Sequence, residues 1–214
     1  MTDRYPGCFI VFEGGDGAGK STQATRLAGW LTDRGYAVTT TFEPGDTAVG
    51  AKVRELVLHS DIDITPRAEA LLYAVDKAQH VEEVIKPALA AGRVVISDRY
   101  TDSTIAYQGA GRAVDLGDVA RLAWWAVDGL VPDLTVLMDV APAVGLSDKA
   151  SLDRIESAGE DFHHRVRRHF LELAAAEPAR YLVVNGRGPK DEVTDQITGA
   201  VAGLLTRRGV VPAG

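Results

Sequence analysis

The chain has 214 residues, 46% hydrophobic and 25% charged, proportions that exclude a disordered, collagenous or disulfide-built protein. With 23 Lys and Arg against 30 Asp and Glu the formal charge is −7, which argues against a surface that coats nucleic acid. The single cysteine, Cys8, excludes an internal disulfide and a cysteine-built zinc site, and its apolar surroundings make it a small core residue. The first residues lack a signal-peptide apolar stretch, and no run nears the ~18 apolar residues of a membrane span. The expectation is a soluble cytoplasmic protein with no membrane or nucleic-acid partner.

Cys8 to Phe12 is a continuous apolar run ending in glycines, the pattern of a strand buried on both faces. Lys20 to Arg34 reads as a helix with Leu27, Trp30 and Leu31 on one side and Gly35 beyond its end. Val38 to Phe42 is a β-branched strand, and Thr47 to His59 a helix. Pro66 to Ala91 is a long helix on which Leu71, Val75, Ala78, Ile85 and Leu89 repeat, with Pro87 as a possible break and Gly92 as its end. Val94 to Ile96 is a third strand, Leu116 to Val127 a helix, and Leu134 to Met138 a fourth strand. Pro142 to Gly159 lacks a period and reads as a mobile lid, placed at about 142–160. Phe162, Val166, Phe170 and Leu173 mark the face of a further helix, Tyr181 to Val184 a fifth strand, and Glu192 to Leu205 a last helix. A frayed tail is expected over about 209–214. Strands alternating with helices imply right-handed crossovers. The expected fold is α/β, three layers in one domain over 1–214: a five-stranded parallel sheet with helices on both faces and a short lid.

After the first strand stands Gly14-Gly15-Asp16-Gly17-Ala18-Gly19-Lys20-Ser21-Thr22, which satisfies G-x-x-x-x-G-K-[ST] in full. Glycines let the backbone wrap a polyphosphate with its N–H groups, and the following helix adds its positive end. Lys20 can reach the β- and γ-phosphates, and the Ser21 hydroxyl can bind Mg²⁺. The motif predicts a nucleoside triphosphate site but not the fate of the nucleotide. The third strand runs into Asp98-Arg99-Tyr100, at the sheet edge where ligands bind. There Asp98 can hold Mg²⁺ and Arg99 can grip a phosphate, or the two can form a structural ion pair.

The stretch Phe12-Glu13-Gly14 through Thr22-Gln23, Glu43-Pro44-Gly45, the block Asp98 to Arg112, Gly129 to Thr135 and Asp153-Arg154-Ile155-Glu156 together resemble the thymidylate kinase family from about residue 8 to about 205. The resemblance implies the reaction ATP + dTMP ⇌ ADP + dTDP with Mg²⁺, a phosphate-loop kinase fold with a lid, and a homodimer. By it Asp16 bonds the sugar 3′-hydroxyl, Arg99 holds the dTMP phosphate, and Glu43 lies on the dTMP side. Thr104 and Gln108 face the thymine edge, and Tyr107 packs beneath the sugar against a 2′-hydroxyl. Tyr73 stacks on thymine and Lys77 contacts a base oxygen, a pairing that their i,i+4 spacing permits. Lys20, Arg99, Asp98 and Arg154 are the catalytic set, with Ser21 and Asp98 at the metal. It also suggests a cis Glu43–Pro44 bond, and a dimer contact involving helices of the 47–60, 66–91 and 115–128 regions. One of Trp124 and Trp125 would then lie in the core and the other at that contact.

The acceptor phosphate is already an anion, so no general base is required. The five histidines (59, 80, 163, 164 and 169) form no convincing metal spacing, and His163 and His164 read as solvated. Three positions depart from the family pattern. Phe42 stands where an Arg is common, with Asp46 nearby, Lys77 replaces a base-contacting Arg, and the lid holds only Lys149 and Arg154 as cations. The expectation is a working enzyme that is slower or more relaxed in substrate. Two other readings are a kinase for another deoxynucleoside monophosphate such as dUMP, and a catalytically weak nucleotide-binding protein.

Overall fold

A computed structural model describes residues 5–112, 114–146 and 153–212. Five strands form one parallel sheet: β1 (Cys8–Glu13), β2 (Val38–Phe42), β3 (Val94–Asp98), β4 (Leu134–Asp139) and β5 (Tyr181–Asn185). Their spatial order is β2-β3-β1-β4-β5. The apolar run of β1 puts that strand at the centre, where every one of its residues is buried. Alternate side chains then feed two cores. Cys8, Ile10 and Phe12 join Leu27 and Leu31 of α1 (Lys20–Thr32) and Ile197 and Val201 of α9 (Lys190–Arg208) on one face. Phe9 and Val11 join Val81, Ile85 and Leu89 on the other. Cys8 is wholly buried, and that burial raises its thiol pKa far above the ordinary value.

The remaining helices are α2 (Ala48–His59), α3 (Pro66–His80), α4 (Lys86–Ala90), α5 (Thr101–Thr104), α6 (Leu116–Ala126), α7 (Pro142–Leu146) and α8 (Glu160–Ala176). The expected long helix from Pro66 does run almost to Gly92, but a π-helical turn over Val81–Ile85 joins α3 to α4. Pro87 falls in the first turn of α4, where a missing N–H is tolerated. Four expectations are corrected. Leu71 and Val75 lie outward, 50% and 49% exposed, and the inward face of α3 is instead polar. Thr101–Gly111, for which no helix was expected, is helical, its second half π-helical over Ile105–Gly111. His163 is buried with Nε2 2.9 Å from the Glu156 carbonyl, not solvated, whereas His164 is exposed. Val210, expected to fray, packs into the core beside Leu205.

Within the expected lid, Pro142–Leu146 is helical, and Ile155 and Glu156 are buried. Ser147 to Leu152 lie outside the described residues. On α8 the buried stripe is Phe162, Val166, Phe170 and Ala174, with Leu173 only half-buried. Trp124 packs on the core and Trp125 is 79% exposed.

Candidate active site

The carboxyl ends of β1, β2 and β3 open onto one cleft of about 1160 Å³. The turn after β1 makes its near wall. Gly17 has φ +69°, and a Cβ there would fall 1.9 Å from the carbonyl oxygen of Gly145, so only glycine lets the loop lie against α7. Lys20, the first residue of α1, turns its ammonium back onto the loop, 3.0 Å from the Gly14 carbonyl and 2.7 Å from that of Gly15. Burial, then the Arg99 charge, lowers its pKa to about 8. Ser21 donates to Asp98 Oδ2 at 2.6 Å, which places a hydroxyl and a carboxylate together at the start of α1 and the end of β3. These are hard oxygen donors of the kind Mg²⁺ takes beside phosphate and water.

Arg99 sits at φ +74°, a left-handed conformation that residues other than glycine rarely adopt. Its neighbour explains how it is held. Glu13 accepts from the backbone N–H of Tyr100 and Ser103 at 2.9 and 3.1 Å, fixing the turn. Burial, with Asp102 adding to it, raises Glu13 to about 7. The Arg99 guanidinium reaches back across the sheet end to Asp16 and Ser103 and lies 5.0 Å from the Tyr107 ring centre. Burial opposes its charge, but Tyr107, Asp16, Asp98 and Glu13 outweigh burial and hold it protonated. Tyr107 donates to the other Asp16 oxygen at 2.8 Å and packs edge-on against Phe162 and Phe170.

On the far wall stands a buried polar chain, of which the sequence marks Glu43 and Lys77 but not His80 or Thr41. Glu43, after β2 and before a cis bond to Pro44, pairs with Lys77 through one oxygen. Its other oxygen lies 2.8 Å from His80 Nδ1. His80 Nε2 meets Thr41 Oγ1, which also donates to Asp46. Burial would raise the Glu43 carboxyl, but Lys77 and His80 pull it below its ordinary range. Asp46, seen in the sequence only as an unfavourable charge, is thus tied to His80 through Thr41. One signal was available. Glu69, Tyr73, Asp76, Lys77 and His80 recur at helical spacing, and all five are buried on α3.

Of the expected residues, Asp16 to Thr22, Glu43, Tyr73, Lys77, Asp98, Arg99, Thr104, Tyr107 and Gln108 all line this cleft. Gly14 and Gly15 shape it by offering their carbonyls to Lys20. Thr104 Oγ1 is buried without a hydrogen-bond partner among the described residues. Arg154 is placed differently, donating to Glu69 and to the Val57 carbonyl. Arg54 of α2 lines the cleft, stacks over Phe42 at 5.7 Å and donates to the Pro44 carbonyl at 2.7 Å. No helix among the described residues is long and apolar enough to cross a membrane.

A parallel sheet with a glycine loop feeding a helix, and acidic and basic strand ends facing it, defines a phosphate-loop nucleotide-binding protein. Comparison with known proteins narrows the class. The family model "Thymidylate kinase" matches residues 12–197. The thymidylate kinase of Cutibacterium acnes is 59% identical over 202 residues, covering 94% of this chain and 99% of that protein. That of Clavibacter michiganensis is 51% identical over 203 residues, covering 93% and 96%. The crystal structure of the Ehrlichia chaffeensis thymidylate kinase superposes with a TM-score of 0.74 at 32% identity, over 91% of this chain and 98% of that one. The chain belongs to the thymidylate kinase family.

Proposed function

We propose that this chain passes the γ-phosphoryl group of ATP to the phosphate of dTMP, with Mg²⁺, as a cytoplasmic homodimer. The observation that carries the reading is a single cleft lined both by the phosphate loop and by Tyr73, Thr104 and Gln108. ATP and dTMP as substrates follow from membership of the family. Neither a dUMP kinase nor a binding protein without the reaction is favoured by the relatives.

The work of such a site is to hold two anions in line and neutralise charge on the transferred group. Loop N–H groups and Lys20 take the ATP phosphates, and Lys20 does so by exchanging the Gly14 and Gly15 carbonyls for phosphate oxygens. Ser21 and Asp98 hold Mg²⁺, which when bound neutralises charge on the β- and γ-phosphates. Arg99 grips the acceptor phosphate. Asp16, oriented by Arg99 and Tyr107, accepts from the sugar 3′-hydroxyl, and the Tyr107 ring packs beneath the sugar and disfavours a 2′-hydroxyl. Thr104 turns its unpartnered hydroxyl to the base edge. Tyr73 stacks on thymine, and Lys77, anchored by Glu43, offers its further N–H groups to a base oxygen. Arg54 supplies on the acceptor side the cation that Phe42 does not. Arg154 serves the transferred group only by leaving Glu69.

The homodimer is supported by outward apolar residues on adjoining helices: Leu71 and Val75 on α3, and Trp125 on α6. Sedimentation at micromolar concentration is expected to give twice the chain mass, and a monomer would contradict it. For the metal, ADP release with dTMP is followed across a Mg²⁺ titration. Ser21→Ala is expected to need about tenfold more Mg²⁺. An unchanged Mg²⁺ requirement would remove Ser21 from the metal site.

A further inference from the structure

Glu69 lies wholly buried on α3 and receives hydrogen bonds only from donors that cannot accept in return. Arg112 donates Nε to Oε1 at 3.1 Å and Nη2 to Oε2 at 3.2 Å, and Arg154 donates Nη2 to Oε2. The fourth donor is Gln108 Nε2, 3.0 Å from Oε1. An ionised carboxylate accepts and has no proton to give. Only the NH₂ end of the Gln108 amide can face it. The Gln108 oxygen must then point the other way. Gln108 lines the cleft, and its one side-chain hydrogen bond among the described residues runs from Nε2, leaving Oε1 without one.

We propose that Glu69 is a positioning residue for base selection: it locks the Gln108 amide with its oxygen toward the acceptor base, so the site takes a pyrimidine that carries N3–H and rejects cytosine. The inference rests on the placement of the acceptor base at Gln108 given above. Thymine and uracil offer an N–H at N3, which an amide oxygen accepts. Cytosine offers a lone pair there, which an amide oxygen repels. An unlocked glutamine would turn over and donate to cytosine N3. Discrimination therefore resides in the carboxylate behind the glutamine, not in the glutamine alone.

The test compares kcat/KM for dTMP and dCMP in the full chain. Glu69→Gln gives Gln108 a partner that can donate or accept, and is expected to shrink the dTMP-to-dCMP ratio by about tenfold or more. The dTMP-to-dUMP ratio, which reads the methyl group, stays as in the wild type. Arg112→Gln removes two bonds from Glu69 but leaves the lock, and is expected to keep the dTMP-to-dCMP ratio. Gln108→Met separates two failures. If it relaxes the ratio and a folded Glu69→Gln does not, Glu69 has no part in selection. If neither relaxes it, the base does not lie at Gln108 and the placement fails with it. A loss of discrimination in Arg112→Gln equal to that in Glu69→Gln also overturns the proposal, because it makes the effect a general loosening. Should Glu69→Gln fail to fold, a crystal structure of the wild-type protein with dTMP decides. Gln108 Nε2 on Glu69 with Oε1 on N3 upholds the lock, and Nε2 turned to the base overturns it.

Discussion

Asp76 provides the sharpest test of the buried polar face of α3. Its Oδ1 accepts from the Gly45 N–H at 3.0 Å, and its Oδ2 is buried without a partner among the described residues. The side chain fits only because position 50 is glycine, where a Cβ would fall 2.3 Å from Oδ1. Burial, with the Glu43 charge adding to it, raises the Asp76 pKa from 3.8 to about 6. The folded value thus exceeds the unfolded one. Between the two the folded state binds more protons, so stability falls as pH rises through this window. At ~1.36 kcal/mol per pH unit the whole window corresponds to about 3 kcal/mol. Asp76→Asn removes the ionisation and keeps the acceptor for Gly45. It also buries an amide NH₂ with no partner, a penalty of about 1–3 kcal/mol that does not vary with pH. The variant should therefore be less stable than wild type near pH 4, gain on it through the window, and level off above about pH 7. Urea unfolding of both proteins from pH 4 to pH 8 gives the difference directly, and every other titrating group cancels to first order. Over this range a relative gain of about 2.4 kcal/mol is expected, since pH 4 already lies just above the unfolded pKa. A difference that stays flat across the range would refute the reasoning.

Glu43→Gln leaves the Lys77 charge buried without its carboxylate and should destabilise by about 3–5 kcal/mol at pH 7, read as a fall in urea midpoint at unchanged slope. A midpoint within error of wild type would mean that the pair is not a structural necessity. Gly17→Ala drives a methyl into the Gly145 carbonyl and should abolish ATP binding by calorimetry, while the sheet keeps the far-ultraviolet circular dichroism unchanged. Retained ATP affinity would show that the loop does not need its contact with α7.

Much of this was legible in the sequence because it is local. The phosphate loop is a contiguous pattern whose spacing is its mechanism, and β1 announces its central place by an unbroken apolar run. The strand-end Asp98 and Arg99 were readable for the same reason, as neighbours at a predictable edge. What stayed hidden depends on contacts across long stretches of chain. Nothing in Glu43-Pro44 indicates that its carboxylate will meet Lys77 and His80, which lie 34 and 37 residues further on. The apolar residues of α3 misled for a physical reason. Periodicity tells that a helix has two faces but not which is inward, and here Leu71 and Val75 face out while Glu69, Asp76 and His80 face in. Thr101–Gly111 carries small and polar residues without an apolar period, so its helix is set by packing on α6 and α8.

The account stands or falls on the acceptor. ADP formation from ATP and Mg²⁺ should be measured with dTMP, dUMP, ribose TMP, dCMP and dGMP, alongside Lys20→Ala. The prediction is a strong preference for dTMP over all four others, falling about 10²-fold or more in Lys20→Ala. Comparable turnover on the ribose nucleotide or on dCMP would contradict the roles given to Tyr107 and Gln108. Absence of ADP with every acceptor, in protein that binds ATP, would contradict phosphoryl transfer itself.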